Sequence, residues 1–188
     1  MKKKIIISII FLVCGILLHI FLNIDKKLFL YINSLHCKAL DTILLPLTYW
    51  GDGVSLVLFS LILGYLSGWQ KFLRAIFILI LVGVFVHIIK SFFPSVRPVS
   101  VLSSVHILGR ALKAGSFPSG HTASSVALGN LVSKECSKLK VFVWFIVILI
   151  AYSRIYCGVH FVGDVVFGFG LGLFVSSLFL GRKTSNKG

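Results

Sequence analysis

The chain has 188 residues, of which 57% are hydrophobic and only 13% charged, with a mean hydropathy of +1.02. A soluble domain is about 45–50% apolar and about 25% charged, so disorder and an ordinary soluble enzyme are both excluded. Nineteen Lys and Arg against five Asp and Glu give a net charge of +14. These charges lie in short clusters between apolar runs, so they read as topology signals, headgroup contacts or site residues, and not as a nucleic-acid surface.

Six runs have the length and apolar character of bilayer-spanning helices, which need about 20 residues. They cover about 5–23, 53–68, 72–93, 119–134, 141–156 and 161–180. Lipid cannot satisfy an open strand edge, so the expected fold is all-α, a six-transmembrane-helix bundle forming one domain over 1–188. The first run follows Lys2, Lys3 and Lys4 and has no small-residue cleavage site after it, so it reads as an uncleaved helix. Between the first two runs, Ile24 to Trp50 mixes Asp25, Lys26, Lys27, Lys38 and Asp41 with apolar residues. It reads as an amphipathic segment on the outer interface, with Tyr49 and Trp50 as belt residues. Asp52, between two glycines, marks a turn before the second run. The long polar stretch Pro94 to Pro118 is the kind of loop that carries function.

Six spans put both termini on one side. That side collects Lys2, Lys3, Lys4, Lys71, Arg74, Lys134, Lys138, Lys140, Arg182, Lys183 and Lys187. The other side holds Lys26, Lys27, Lys38, Lys90, Arg97, Arg110, Lys113 and Arg154. Setting aside Lys90, Arg97 and Arg154 as site residues leaves eleven cations against five, and the positive-inside rule makes both termini cytoplasmic. Of the four cysteines, Cys37 and Cys157 fall on the outer side, where a disulfide could persist, and the spacing matches no metal motif. His19 and His87 read as packed histidines within spans. Gly168, Gly170 and Gly172 read as a close-packing stripe.

Polar groups in or at the ends of such spans are costly and point to function. Lys90, Arg97, His121, Arg154, His160 and Asp164 all fall at the outer ends of their spans. Three cations with no acid nearby except Asp164 call for an anion, and phosphate suits them. Ser119 and Gly120 precede a helix N-terminus, which offers free N–H groups and close backbone approach to the same anion. His160 and Asp164 are spaced i, i+4 and share a helical face, so the carboxylate can fix the imidazole tautomer and leave the other nitrogen free to attack. His121, from another helix, can protonate a leaving oxygen. This describes phosphoryl transfer through a phosphohistidine. No carboxylate cluster is available for Mg²⁺, and three cations would repel a metal held by His121, His160 and Asp164, so neither metal nor cofactor is expected.

Lys90-x6-Arg97-Pro98, Pro118-Ser119-Gly120-His121 and Ser153-Arg154-x5-His160-x3-Asp164 together resemble the three-part signature of the type 2 phosphatidic acid phosphatase superfamily. The resemblance implies His160 as nucleophile, Asp164 as its orienting partner and His121 as general acid, with Lys90, Arg97, Ser119, Gly120 and Arg154 holding phosphate. It also implies a metal-independent lipid phosphatase. A soluble haloperoxidase branch shares the signature, but the six apolar spans set this chain apart from it. With the topology above, the active site is expected on the periplasmic face of a bacterial inner membrane. The partners are the bilayer and a lipid phosphate, with no nucleic acid and no obligate protein partner. Arg110 and Lys113, just before the Pro-Ser-Gly-His turn, suit a bulky, multiply charged headgroup and tilt the expected substrate to lipid A 1-phosphate. Undecaprenyl pyrophosphate and phosphatidylglycerol phosphate are the alternatives. A phosphorylated-lipid transporter and a non-catalytic lipid-binding protein stay open as other classes. The first would place its polar groups at the midplane. The second would not need His121 or the His160–Asp164 pair.

Overall fold

The computed structural model describes residues 2–180, and helices dominate them. The helices are α1 (Lys2–Ile20), α2 (Leu22–Asn33), α3 (Lys38–Tyr49), α4 (Gly53–Ser67), α5 (Trp69–Phe92), α6 (Pro98–Val101), α7 (Gly120–Glu135), α8 (Lys140–Tyr156) and α9 (Val162–Phe179). The boundaries follow local chemistry. Asp52 caps α4 by accepting from Ser55 N at 2.9 Å, as expected of a turn before the second run. Gly68, at φ 106°, ends α4 in a conformation that other residues rarely adopt.

The six expected spans each match a helix, α1, α4, α5, α7, α8 and α9, within a few residues. Their number as membrane crossings is a different matter. By length and composition four helical segments qualify: Lys2–Ile20, Trp69–Phe92, Ser137–Tyr156 (α8 with the short 3₁₀ turn before it) and Val162–Phe179. At 15 and 16 residues, α4 and α7 are short for a full crossing. α7 also carries Ser, Thr and Asn, which it can afford because ten of its residues are buried among α4, α5, α8 and α9.

Residues 24–50 depart from a segment lying flat on the interface. They form two helices bent by 115°, together apolar enough to be a broken span. Both pack onto the bundle, burying Asp25, Phe29 and Asn33 of α2 and Leu44, Leu47 and Thr48 of α3. Tyr49 and Trp50 are exposed, as belt residues should be.

The core sits where α9 is wrapped by α1 and α7. The glycine stripe of α9 permits this, as the sequence suggests. A Cβ at Gly168 would lie 2.6 Å from Ser119 O on the α7 side, and one at Gly170 would lie 2.8 Å from Leu12 N of α1. The broad outward apolar surfaces of α1, α4 and α5 suit contact with lipid.

One end of the bundle is basic. Lys4 Nζ donates to Asn130 Oδ1 at 2.5 Å, and Lys71 pairs with Glu135 at 3.0 Å. The other end gathers α2, α3, the segment 94–118 and the loop between α8 and α9. Arg182, Lys183 and Lys187 of the charge argument lie outside the described residues. Cys37 and Cys157 are free thiols, Cys37 exposed and Cys157 buried.

Candidate active site

The loop joining α8 to α9 turns sharply at Gly158, whose φ is 76°. A side chain there would also strike the chain at His106, where a Cβ would approach the carbonyl oxygen to 2.5 Å. Arg154 O takes the N–H groups of both Val159 and His160 at 3.2 Å, which turns His160 back into the bundle. His160 is 2% exposed and Asp164 fully buried.

His160 Nδ1 faces Asp164 Oδ2 at 3.4 Å, and its Nε2 faces Arg97 Nη1 at 3.4 Å. A proton on Nδ1 satisfies both neighbours and leaves Nε2 as the basic atom. Asp164 Oδ2 also receives Phe161 N at 2.9 Å and Ser116 Oγ at 2.5 Å, so the carboxylate is held from three directions. Burial lowers the imidazole pKa well below 6.5, and Arg154, Arg97, Lys90 and His121 push it the same way. Lys90, Arg97, His121 and Arg154 of the expected set thus all lie near enough to act on one imidazole.

The cations are fixed by backbone carbonyls and a hydroxyl, and among the described residues none of the three forms an ion pair with a carboxylate. Arg97 donates Nε to Ala114 O at 3.0 Å, Nη1 to Val159 O at 2.9 Å and Nη2 to Gly115 O at 3.3 Å. Lys90 Nζ donates to Gly115 O. Arg154 Nη1 donates to Thr48 Oγ1 at 2.5 Å, while its buried Nε has no hydrogen-bond partner among the described residues. Ser119 is the N-cap residue of α7. Its N–H goes to Asp164 O at 3.0 Å and its hydroxyl meets Thr122 Oγ1 at 3.0 Å. Gly120 and His121 form the first turn of α7, and Gly120 leaves open space beyond Val86.

Arg110 and Lys113 are exposed on the loop that leads into this cradle. They stand outside the buried set, but Lys113 O accepts Arg97 N at 3.0 Å, so their loop is docked on the cradle. His87 is exposed, contrary to a packed histidine, because it lies on the outward face of α5. His19 is packed, its ring centroid 4.5 Å from that of Phe117, though among the described residues its buried Nδ1 has no carbonyl partner.

Three partners escape sequence reasoning: Thr48 beside Arg154, Ser116 on Asp164, and Asp25. Asp25 takes Gly163 N at 3.0 and 3.2 Å. Asp25 is followed directly by Lys26 and Lys27, so its stretch of sequence reads as a solvated face and carries no local sign of burial.

An apolar groove of about 260 Å³ runs between α4, α7 and α8, lined by residues such as Leu56, Phe59, Leu128, Val132 and Ile150. It begins beside the site. A Cβ at Gly51 would lie 2.8 Å from Ile150, 2.9 Å from Ser125 Oγ and 3.4 Å from His121 Cβ, and both Ser125 and Ile150 line the groove.

The family model of the PAP2 superfamily matches residues 71–185. The chain is 40% identical over 62 residues to the lipid A 4'-phosphatase of Porphyromonas gingivalis, a stretch covering 31% of this chain and 26% of that protein. It is 35% identical over 77 residues to phosphatidylglycerophosphatase B of Bacillus subtilis, covering 35% of this chain and 38% of that protein. These alignments thus span only about a quarter and two-fifths of the curated relatives. Among solved structures, LpxE of Aquifex aeolicus superposes with a TM-score of 0.75 at 32% identity, over 81% of this chain and 92% of that one. The first transmembrane PAP2-type phosphatidylglycerolphosphate phosphatase from Bacillus subtilis gives 0.79 at 22% identity, over 97% and 100%, a likeness of fold.

Proposed function

Because the chain belongs to the PAP2 superfamily, we propose that it is a membrane phosphatase that removes phosphate from a lipid through a phosphohistidine at His160. The observation that carries this reading is the double tether of the His160 ring, with Nδ1 on Asp164 and Nε2 turned to the guanidinium of Arg97. A neutral imidazole whose lone pair faces a phosphate-binding cation is arranged for in-line attack.

In the first step Nε2 forms a bond to phosphorus as the bond from phosphorus to the lipid oxygen breaks. His121 gives its proton to that oxygen, and the lipid alcohol leaves. In the second step water attacks phosphorus and passes its proton to His121. The N–P bond breaks and inorganic phosphate departs. Lys90, Arg97 and Arg154 neutralise the equatorial oxygens, with the first turn of α7 at Ser119 and Gly120 closing the cradle. A donor set this cationic suits phosphate and disfavours a divalent ion, so activity is expected to survive EDTA.

The apolar groove starting beside His121 supports a lipid ester, with the acyl chain lying along α7. Arg110 and Lys113 support a second anionic group on the substrate. We place lipid A 1-phosphate first among substrates. The match to a phosphatidylglycerophosphatase favours phosphatidylglycerol phosphate as a second reading. The single domain is proposed to span the whole chain. The site end is proposed to face the periplasm and the basic end the cytoplasm.

Purified protein in mixed micelles containing EDTA tests the activity. Phosphate release from one of these lipids supports it. Lipid binding without release from lipid A 1-phosphate, phosphatidylglycerol phosphate or undecaprenyl pyrophosphate would favour a carrier or binding protein. Single cysteines at Ser103 and Ser137, exposed at opposite ends, test sidedness with a membrane-impermeant thiol reagent in a cysteine-free background. Ser103→Cys should react in intact spheroplasts, and Ser137→Cys only after lysis.

A further inference from the structure

Asp25 is 1% exposed, and among the described residues no Lys or Arg forms an ion pair with it. Its carboxylate oxygens instead accept Gly163 N, at 3.0 and 3.2 Å, with the backbone N–H of Val162 also turned to the carboxylate. Gly163 is the second residue of α9 and lies between His160 and Asp164 in the chain. The N-cap residue of α9 is Phe161, which has no oxygen with which to cap the first turn. Asp164 folds back to take Phe161 N, and Asp25 reaches across from α2 to take the next exposed donor. An acid is favourably placed at this positive end of a helix.

The fit is close. A Cβ at Gly163 would lie 2.7 Å from Asp25 Oδ2, 3.1 Å from Leu18 Cβ and 3.2 Å from Gly15 O. The absence of a side chain at 163 is therefore what lets the acid at 25 approach this turn, although 138 residues separate them.

We propose that Asp25 is a positioning residue for phosphoryl transfer: it pins the first turn of α9 so that Asp164 meets His160. This rests on the phosphatase reading above. Among the described residues Asp25 forms no hydrogen bond or ion pair with Lys90, Arg97 or Arg154, so its loss should slow the chemical steps and leave phosphate affinity alone.

The test uses the full chain, purified in detergent, with Asp25→Leu, Asp25→Asn and Gly163→Ala. Asp25→Leu keeps the branched outline at somewhat larger volume and removes both acceptors. It should lower kcat by about 10- to 100-fold, the scale of a lost hydrogen bond to a charged group. KM and the inhibition constant for inorganic phosphate should not change. Asp25→Asn keeps one acceptor oxygen and should recover most of kcat. Gly163→Ala should show the same kcat-only loss, and adding Asp25→Leu to it should cost little more.

Wild-type kcat in Asp25→Leu would overturn the proposal. So would parallel losses in kcat, KM and phosphate affinity, which mark general damage. If Asp25→Leu aggregates, Gly163→Ala decides, and wild-type kcat in that variant overturns the proposal. Wild-type protein that releases no phosphate fails the phosphatase reading itself, and the proposal falls with it. Active wild-type protein with indifferent Asp25 variants fails the proposal alone.

Discussion

Ser116 Oγ donates to Asp164 Oδ2 at 2.5 Å, and that same oxygen faces His160 Nδ1 at 3.4 Å. The loop 94–118 therefore does more than carry Arg97. It also fixes the carboxylate that orients the proposed nucleophile. Ser116→Ala should lower kcat by about 10-fold, in keeping with one hydrogen bond to a charged group. The loss should be smaller than in Asp164→Ala, because Phe161 N still holds the carboxylate of the serine variant. Steady-state kinetics on both variants test the ranking.

Arg97 holds three carbonyls with three different nitrogens while facing His160. A lysine keeps the charge but cannot reproduce a planar fork. Arg97→Lys should therefore lose about 10²-fold in kcat/KM, the scale expected when a positioned group is misplaced. Activity near that of wild type would mean that charge alone suffices.

The acid limb of the pH–rate profile should lie below pH 6.5. His160 attacks only when neutral, and burial, with Arg154, Arg97, Lys90 and His121 around it, depresses its pKa. Acidification thus removes activity only when pH falls to that lowered value. Arg97→Gln takes away one of the depressing charges, so its acid limb should move upward. A profile measured on purified protein decides the sign, and a downward move contradicts the assignment.

Gly168 couples packing to the site, since a Cβ there would lie 2.6 Å from Ser119 O. Gly168→Val should push α7 away from α9 and disturb Ser119, His121 and Asp164 together. Thermal unfolding in detergent should show a destabilisation of about 1–3 kcal/mol, the usual cost of overpacking, alongside lost activity.

Much of this arrangement is legible in the sequence because polar groups in an apolar chain are costly wherever they occur. Lys90, Arg97, His121, Arg154, His160 and Asp164 stand out against their surroundings, and the apolar runs that carry them end close to the observed helices. Asp25, Thr48 and Ser116 were not legible, for one shared reason. Each lies in a segment that is itself mixed in polarity, so nothing local separates a buried partner from a solvated one. Their roles depend on helices meeting across long sequence separations, 138 residues for Asp25 and 106 for Thr48. Thr48 also belongs to the bent α2–α3 pair, whose packing against α8 and α9 a pattern of alternating apolar and charged residues does not reveal. α4 and α7 form helices where spans are expected, but at 15 and 16 residues they are shorter than the four segments that qualify by length. Neither hydrophobicity nor burial alone distinguishes a short helix sheltered by its neighbours from one that crosses lipid unaided.

The central claim is that His160 carries the phosphoryl group, and rapid quenching tests it most directly. The full chain is mixed with a ³²P-labelled lipid phosphate, quenched in base and mapped by peptide. The account predicts an acid-labile, base-stable label on His160 in the wild type and none in His160→Ala, whose turnover should fall by at least about 10²-fold. His121→Ala should still take up label when the leaving group is a good one such as pyrophosphate. Turnover without any label on His160, or near wild-type turnover in His160→Ala, would contradict the account.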